Sequence, residues 1–474
     1  MKKIVYCVSL LLMGFISCSK SGNSQSNDFE MYYRDTVCVD SIFPAKQYPR
    51  ERYIVWSEDD RIIIDEDKLY LENPDDFSID LISFKVGCRD SKTTENVYRT
   101  IKVKSWIDDV IILKELELEN DNSGLINSPK RKSVLYRKYF KFGYVVPMLL
   151  TKNDTTYYSD GKDLLWRTSS NEGVCTKGFK LMSSRFNEMI KEGKYGFIRT
   201  GNSIFFSNDN LRSWKVVYTG KQAIKESMVY IESDTSIVFS EYTPGNTRPH
   251  HHVLKYRVNY DRIDTLVTFY SKAEHDALGL MPYCRHHHVL NKDPYTGDIY
   301  IGTGDLDYES RIMRSSDGGN TFVEIGTGSQ IWRTITLVYS DKYIYWGTDS
   351  RHPQYISCLK RDYLNDSLPV SESQINQYPL INSAIYHSIA YKDLYLVSSN
   401  SEGELYDDKH RIYALSIDEN GAVTAYSCIA ESSETPNNQL FILGIDCENT
   451  LWVCDTKDNY RNRRFEIIDK RKNR

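Results

Sequence analysis

Eight of the ten histidines in this 474-residue chain fall in short stretches that also carry arginine, carboxylates or tyrosine. Arg285-His286-His287-His288 is one stretch and Arg248-Pro249-His250-His251-His252 another; Arg351-His352 and His387 complete the set. Only His275 and His410 lie outside it. Asp305, Asp349 and Asn400 close three similar apolar runs, Glu241-Tyr242 holds nearly the same place in an earlier one, and Arg333 precedes a further run. Two chemistries fit these residue types. A pair of carboxylates flanking a sugar ring can serve as general acid and base, with arginine gripping a substrate carboxylate through two parallel hydrogen bonds. Alternatively, histidine and tyrosine can abstract a proton beside a uronic acid carboxylate that arginine or a metal neutralises. The candidate catalytic residues are His288, Glu241, Asp305 and Asp349. The candidate substrate-binding residues are Arg285, Arg333, Arg351, His352, Tyr242 and His387. Alternation places His250 with His252, and His286 with His288, on one face of a strand, where the four could ligate a divalent metal. No other cofactor is called for. Taken singly, a histidine is more often a hydrogen-bonded structural residue; the clustering favours a site.

The elements that must position these residues are strands. From about residue 130 onward, short apolar runs alternate with turns and helical periodicity is nearly absent. Four runs align: Ile299 to Asp305, Tyr343 to Asp349, Leu394 to Asn400, and Thr450 to Thr456. Their spacing is the size of a four-stranded propeller blade. Counting such second strands near residues 145, 196, 237, 299, 343, 394 and 450 predicts an all-β propeller of seven four-stranded blades, within a range of six to eight. Residues 31–130 are expected to close the ring with an outer strand, to form an extra blade, or to make a small β domain; residues 131–474 form the propeller. In that topology the loops entering each first strand and leaving each second strand open on one face. The histidine, arginine and carboxylate clusters all map there. Asp293 and Tyr295, in a turn on the other face, read as structural.

Ser315-Ser316-Asp317-Gly318-Gly319-Asn320-Thr321-Phe322 resembles the Asp-box turn of sialidase-superfamily propellers, with degenerate copies at Ser207 to Trp214 and Ser159 to Trp166. The aspartate accepts turn N–H groups and the glycine takes a backbone conformation closed to other residues, so the motif is structural. With the blade pattern from Arg285 through Arg351, the chain is similar to glycosyl-hydrolase-like or BNR-repeat proteins over about half its length. The resemblance implies activity on glycans. It does not extend to sialic acid hydrolysis, because the Phe/Tyr-Arg-Ile-Pro motif of authentic sialidases has no counterpart here. Propeller polysaccharide lyases using histidine, tyrosine and arginine are the competing analogy.

Lys2 and Lys3 followed by an apolar run from Ile4 to Ile16 read as an export signal, too short for a stable membrane span. Phe15-Ile16-Ser17-Cys18 resembles the lipobox of bacterial lipoproteins, which implies cleavage after residue 17 and lipidation of Cys18. Residues 18–30, rich in Ser, Asn and Gly, are expected to be a flexible tether. Losing Lys2 and Lys3 takes the formal charge from −5 to −7, and an acidic chain disfavours nucleic acid as partner. The eight cysteines beyond Cys7 and Cys18 include no Cys-x-x-Cys pair, which disfavours a cysteine zinc site. The 36 tyrosines suit strands and, at a surface, carbohydrate faces. The combined expectation is an envelope protein held to the membrane by lipid, periplasmic or surface-facing, acting as a hydrolase or lyase on an acidic glycan. A non-catalytic glycan- or protein-binding propeller is the reading from another class.

Overall fold

In the computed structural model, the described residues run from 28 to 470, with breaks of which the longest are 72–82, 116–149, 179–187, 243–249, 401–410 and 432–439. The export signal, Cys18, Arg248, Arg351 and His352 lie outside the described residues. Seven successive antiparallel sheets occupy the chain from residue 150 onward, among the described residues, six with four strands and the third with five. The fourth, central to the site, runs His286–Lys292, Ile299–Gly304, Arg311–Ser315, Val323–Thr327. The fifth runs Thr334–Tyr339, Tyr343–Thr348, Tyr355–Lys360, Ile375–Pro379. The protein is therefore all-β, with strands paired in chain order as a meander. Six of the expected second strands are found at Tyr195–Thr200, Ser236–Tyr242, Ile299–Gly304, Tyr343–Thr348, Leu394–Asn400 and Thr450–Asp455. The strand expected near 145 lies outside the described residues; the second strand of the first of these sheets is Thr155–Ser159.

Packing of sheet on sheet explains why these second strands are continuous apolar runs instead of alternating ones. Every residue of Ile299–Gly304 is buried, because the strand is covered on both faces by the sheets before and after it. Val238, Val253 and Phe269 of the third sheet share one core with Leu290, Ile299 and Ile301 of the fourth. Glycine in the repeated run permits the close approach. A Cβ at Gly302 would lie 2.5 Å from Thr334 Cγ2, and one at Gly347 would lie 2.4 Å from Ile385 Cβ, each on the first strand of the next sheet.

The N-terminal region contributes strands to more than one sheet. Ile111–Glu115 pairs with Arg461–Asp469 as the outer strand of the last sheet, and Ile111 joins the core of that sheet with Leu440, Leu451 and Phe465. Asp28–Tyr32, Asn96–Lys104, Ser83–Asp90 and Tyr53–Ser57 form a separate mixed sheet, with its own core around Phe43, Leu69, Val86 and Ile101. At the other end of the series, the Cys447 N–H of the last sheet donates to Thr156 Oγ1 of the first at 3.0 Å.

Two of the three Asp-box-like turns have the same hydrogen-bond set. Asp317 Oδ1 accepts from Ser315 Oγ at 2.8 Å and from the Asn320 and Thr321 N–H groups at 2.9 Å. Asp209 Oδ1 accepts from Ser207 Oγ at 2.8 Å and from the Arg212 and Ser213 N–H groups at 3.0 Å. In the third, residues 160–162 lie outside the described residues. Partial burial raises the Asp317 carboxyl, but the bonds from Thr321, Ser315 and Asn320 outweigh this and bring it down to about 2. A depressed carboxylate contributes stability above the ordinary aspartate range, and loses it as pH falls through about 2. Asp317→Ala is therefore expected to lower stability by about 1–3 kcal/mol at neutral pH, with the difference from wild type shrinking in acid. Urea melts at neutral and strongly acidic pH check both parts.

Candidate functional site

The strand His286–Lys292 begins with a departure from regular pairing. His287 faces Thr303 and Val289 faces Gly302, so His288 is the extra residue of a bulge. The same skip recurs at Ile335, Tyr386 and Leu443 in the first strands of the next three sheets. A bulge re-aims its side chain and bends the strand. Here it leaves the His286 and His288 rings 5.0 Å apart, while His287 turns inward against His251, 5.4 Å away, and is fully buried. Burial, with His252 and His250 nearby, holds His251 down at about 3, so it is a neutral packing residue.

Asp305 follows the second strand of the same sheet and is the hub. Its Oδ2 lies 2.9 Å from Arg285 Nη1. Its Oδ1 lies 3.4 Å from His288 Nε2, 3.7 Å from His286 Nε2 and 3.2 Å from Arg333 Nη2. Arg333 also donates to the Asp305 carbonyl at 2.9 Å and pairs with Asp349 Oδ2 at 2.6 Å. Asp349 in turn accepts from the Tyr386 hydroxyl at 3.1 Å. Three sheets thus meet in one network of alternating charge. Burial works to raise the Asp305 carboxyl, but His288, His286 and Arg333 outweigh it and hold the group at about 2. Burial works against the Arg333 charge, but Asp349 and Asp305 push its pKa higher still.

Local structure places each member. Arg333 ends the short 3-10 turn Gln330–Trp332, anchored by Trp332 stacked on Trp346 at 5.9 Å and by Trp346 Nε1 donating to the Ile331 carbonyl at 2.7 Å. Gly304 makes room: a Cβ there would sit 2.7 Å from Arg333 Cγ and 3.2 Å from His288 Cε1. Tyr242, at the end of the preceding sheet's central strand, packs its ring on His286 at 5.0 Å.

The structure thus brings together Arg285, His286, His288, Asp305, Arg333, Asp349 and Tyr242. Other expected members lie apart. Glu241 is spent on support, its Oε1 accepting from Tyr218 at 2.5 Å and its Oε2 from the His252 N–H at 3.2 Å. His250 pairs with Glu274 at 2.7 Å, on the helix Lys272–Leu278, and His252 Nδ1 meets Thr268 Oγ1 at 3.1 Å. The four-histidine metal set divides accordingly. His286, His288 and Asp305 form a group able to hold an ion, without His250 and His252. His387 lies on the strand Ala384–Tyr391 opposite Ser398, and its neighbour Tyr386 is the residue that reaches the network. Simple alternation gives no sign of Tyr386, because the bulge that aims it is invisible in the pattern.

Asp293 is structural as expected, fully buried, paired with Arg361 and accepting the Tyr295 N–H at 2.9 Å. No helix among the described residues is long and apolar enough to cross a membrane.

The fold and site define an all-β protein of serial four- and five-stranded sheets with a polar, charge-alternating cluster at the ends of neighbouring second strands. No family model and no curated protein matches the chain, so the sialidase-type resemblance rests on the turn motif and strand spacing. Among solved structures, the chain is similar to the extracellular domain of a one-component system from B. thetaiotaomicron, with 13% identity over 68% of this chain and 38% of that one, at a TM-score of 0.43. It is similar to a prolyl endopeptidase at 11% identity over 69% of this chain and 48% of that one, TM-score 0.43. The WD40 β-propeller domain of Doa1 is matched at 10% identity over 66% of this chain and 89% of that one, TM-score 0.38.

Proposed function

We propose that the chain is a lipid-anchored, seven-bladed propeller of the bacterial envelope that cleaves an acidic glycan by proton abstraction beside a carboxylate. The observation that carries this reading is the meeting of Arg285, His286, His288, Asp305, Arg333 and Asp349 in one network. Hydrolysis needs a carboxyl group kept protonated to donate to the leaving oxygen. Asp305 carries two arginines, and Asp349 is tied between Arg333 and Tyr386. Asp305, held at about 2 by its cationic neighbours, does not suit that role, and both oxygens of Asp349 are already engaged by Arg333 and Tyr386. Elimination asks instead for a cation on the substrate carboxylate and a base beside it. Arg285, the more exposed of the two arginines on Asp305, supplies the first, and the imidazole and phenol groups of His286, His288 and Tyr242 supply the second.

The test is incubation with panels of acidic and neutral polysaccharides. The expected result is cleavage of an acidic polymer with the absorbance of a new unsaturated uronate. New reducing ends without that absorbance would establish hydrolysis instead, and tight binding without product would establish a binding propeller. The closed ring rests on the Ile111–Glu115 outer strand and the Cys447–Thr156 contact. For the anchor, Cys18→Ala is expected to move the protein from the detergent phase to the aqueous phase and to block processing. Unchanged partitioning would remove the lipid from the reading.

A further inference from the structure

We infer that His286, His288 and Asp305 form a binding site for one divalent first-row transition metal. The three ligand atoms lie within 4.8 Å of one another. Two of the separations, 3.4 Å from Asp305 Oδ1 to His288 Nε2 and 3.7 Å to His286 Nε2, are close to what a common metal would impose. Donors bound at about 2.0–2.1 Å in tetrahedral geometry sit roughly 3.3 Å apart. Two imidazoles and one carboxylate are a donor set suited to zinc, iron or manganese, and three protein ligands leave positions for water or substrate.

The His288 ring is held in a buried position. His288 is 6% exposed, and its Nδ1 is buried with no hydrogen-bond partner among the described residues. The bulge at His288 and the missing side chain at Gly304 aim the ring and clear the space beside it.

The arginines define how charge is shared. Arg285 takes Oδ2 of Asp305, whereas both histidines face Oδ1. Arg333 competes for Oδ1 at 3.2 Å, but its shorter contact, 2.6 Å, is to Asp349, which neutralises it. A dication with one carboxylate ligand, flanked by Arg285, leaves the centre net positive and suited to an anion. Metal binding is independent of the glycan reading. Only its role, neutralising the carboxylate of an acidic sugar beside Arg285, rests on that reading.

The experiment uses the full chain, stripped with a chelator and dialysed against buffer, then titrated with Zn²⁺ or Mn²⁺ alone by calorimetry. Metal content is measured after gel filtration, and folding is checked by circular dichroism. The expected result is one ion per chain, with affinity at least about tenfold weaker in His286→Gln and in Asp305→Asn. Co²⁺ loading should give visible absorption bands that the same substitutions remove. His286 is the more exposed of the two histidines, so His286→Gln reads ligation if Asp305→Asn fails to fold. Absence of stoichiometric binding, or binding unchanged in a folded His286→Gln protein, overturns the site. Metal binding without turnover of any acidic glycan retires the proposed function and leaves the metal site standing.

Discussion

Replacing His288 by alanine is expected to slow turnover of the acidic glycan by about 10²–10⁴, with a far smaller change in melting temperature. The magnitude follows from the position of the ring. His288 Nε2 meets Asp305 Oδ1 at 3.4 Å at the centre of the network, so the substitution removes a metal ligand or, where no metal is bound, a proton-handling group. A metal that neutralises developing charge contributes several kcal/mol, which is about 10²–10⁴ in rate. Chelation of the wild type should reproduce the loss, and added metal should restore the wild type without rescuing the variant. Turnover, chelator sensitivity and melting temperature measured on this one variant separate three roles. A fall in melting temperature with intact turnover of the folded fraction would make His288 a packing residue and remove the site assignment.

The largest effect on stability is expected from Asp305→Ala. The carboxylate stands between Arg285 and Arg333 and is mostly buried. Removing it leaves Arg333 with one carboxylate instead of two and brings two guanidinium groups into unscreened proximity. Breaking a buried pair by deleting one partner costs about 3–5 kcal/mol. The lower end applies here, because Asp349 still neutralises Arg333 at 2.6 Å. The double variant Asp305→Ala/Arg333→Met should recover part of the loss, since the uncompensated charge is then gone as well. Denaturant unfolding of the two variants measures both. Equal stability of Asp305→Ala and wild type would mean the network contributes no net stabilisation.

Strand spacing in the sequence located six of the seven second strands, because a strand sandwiched between two sheets must be apolar along its whole length. That constraint writes itself into runs such as Ile299 to Gly304 and Tyr343 to Thr348. The Ser-x-Asp turns were legible for a similar reason: their hydrogen bonds close within a few residues of the aspartate. The remaining expected strand, near 145, lies outside the described residues, and in Thr155–Ser159 threonine and tyrosine dilute the apolar signal. Candidate site residues were legible as types. Arg285, His286, His288, Asp305, Arg333 and Asp349 stand out by chemistry, and the topology of a meander sends the ends of second strands to one side.

Tertiary structure decided what local pattern cannot carry. Glu241 and Asp305 hold nearly the same place in successive runs, yet one is spent on Tyr218 and a backbone N–H while the other carries two arginines. The difference lies in which side chains the neighbouring sheet presents, and those come from distant parts of the chain. The two alternating histidine pairs look equivalent in sequence, but a helix carrying Glu274 takes His250, and a bulge turns His288 toward Asp305. Tyr386 enters through the same kind of bulge. The sequence by itself determined an all-β meander with reactive residues at strand ends, because burial on both faces and short-range turn bonds are local requirements. Which of those residues share a centre was decided only by sheet-to-sheet packing, where one inserted residue or one missing Cβ moves a ring between core and site.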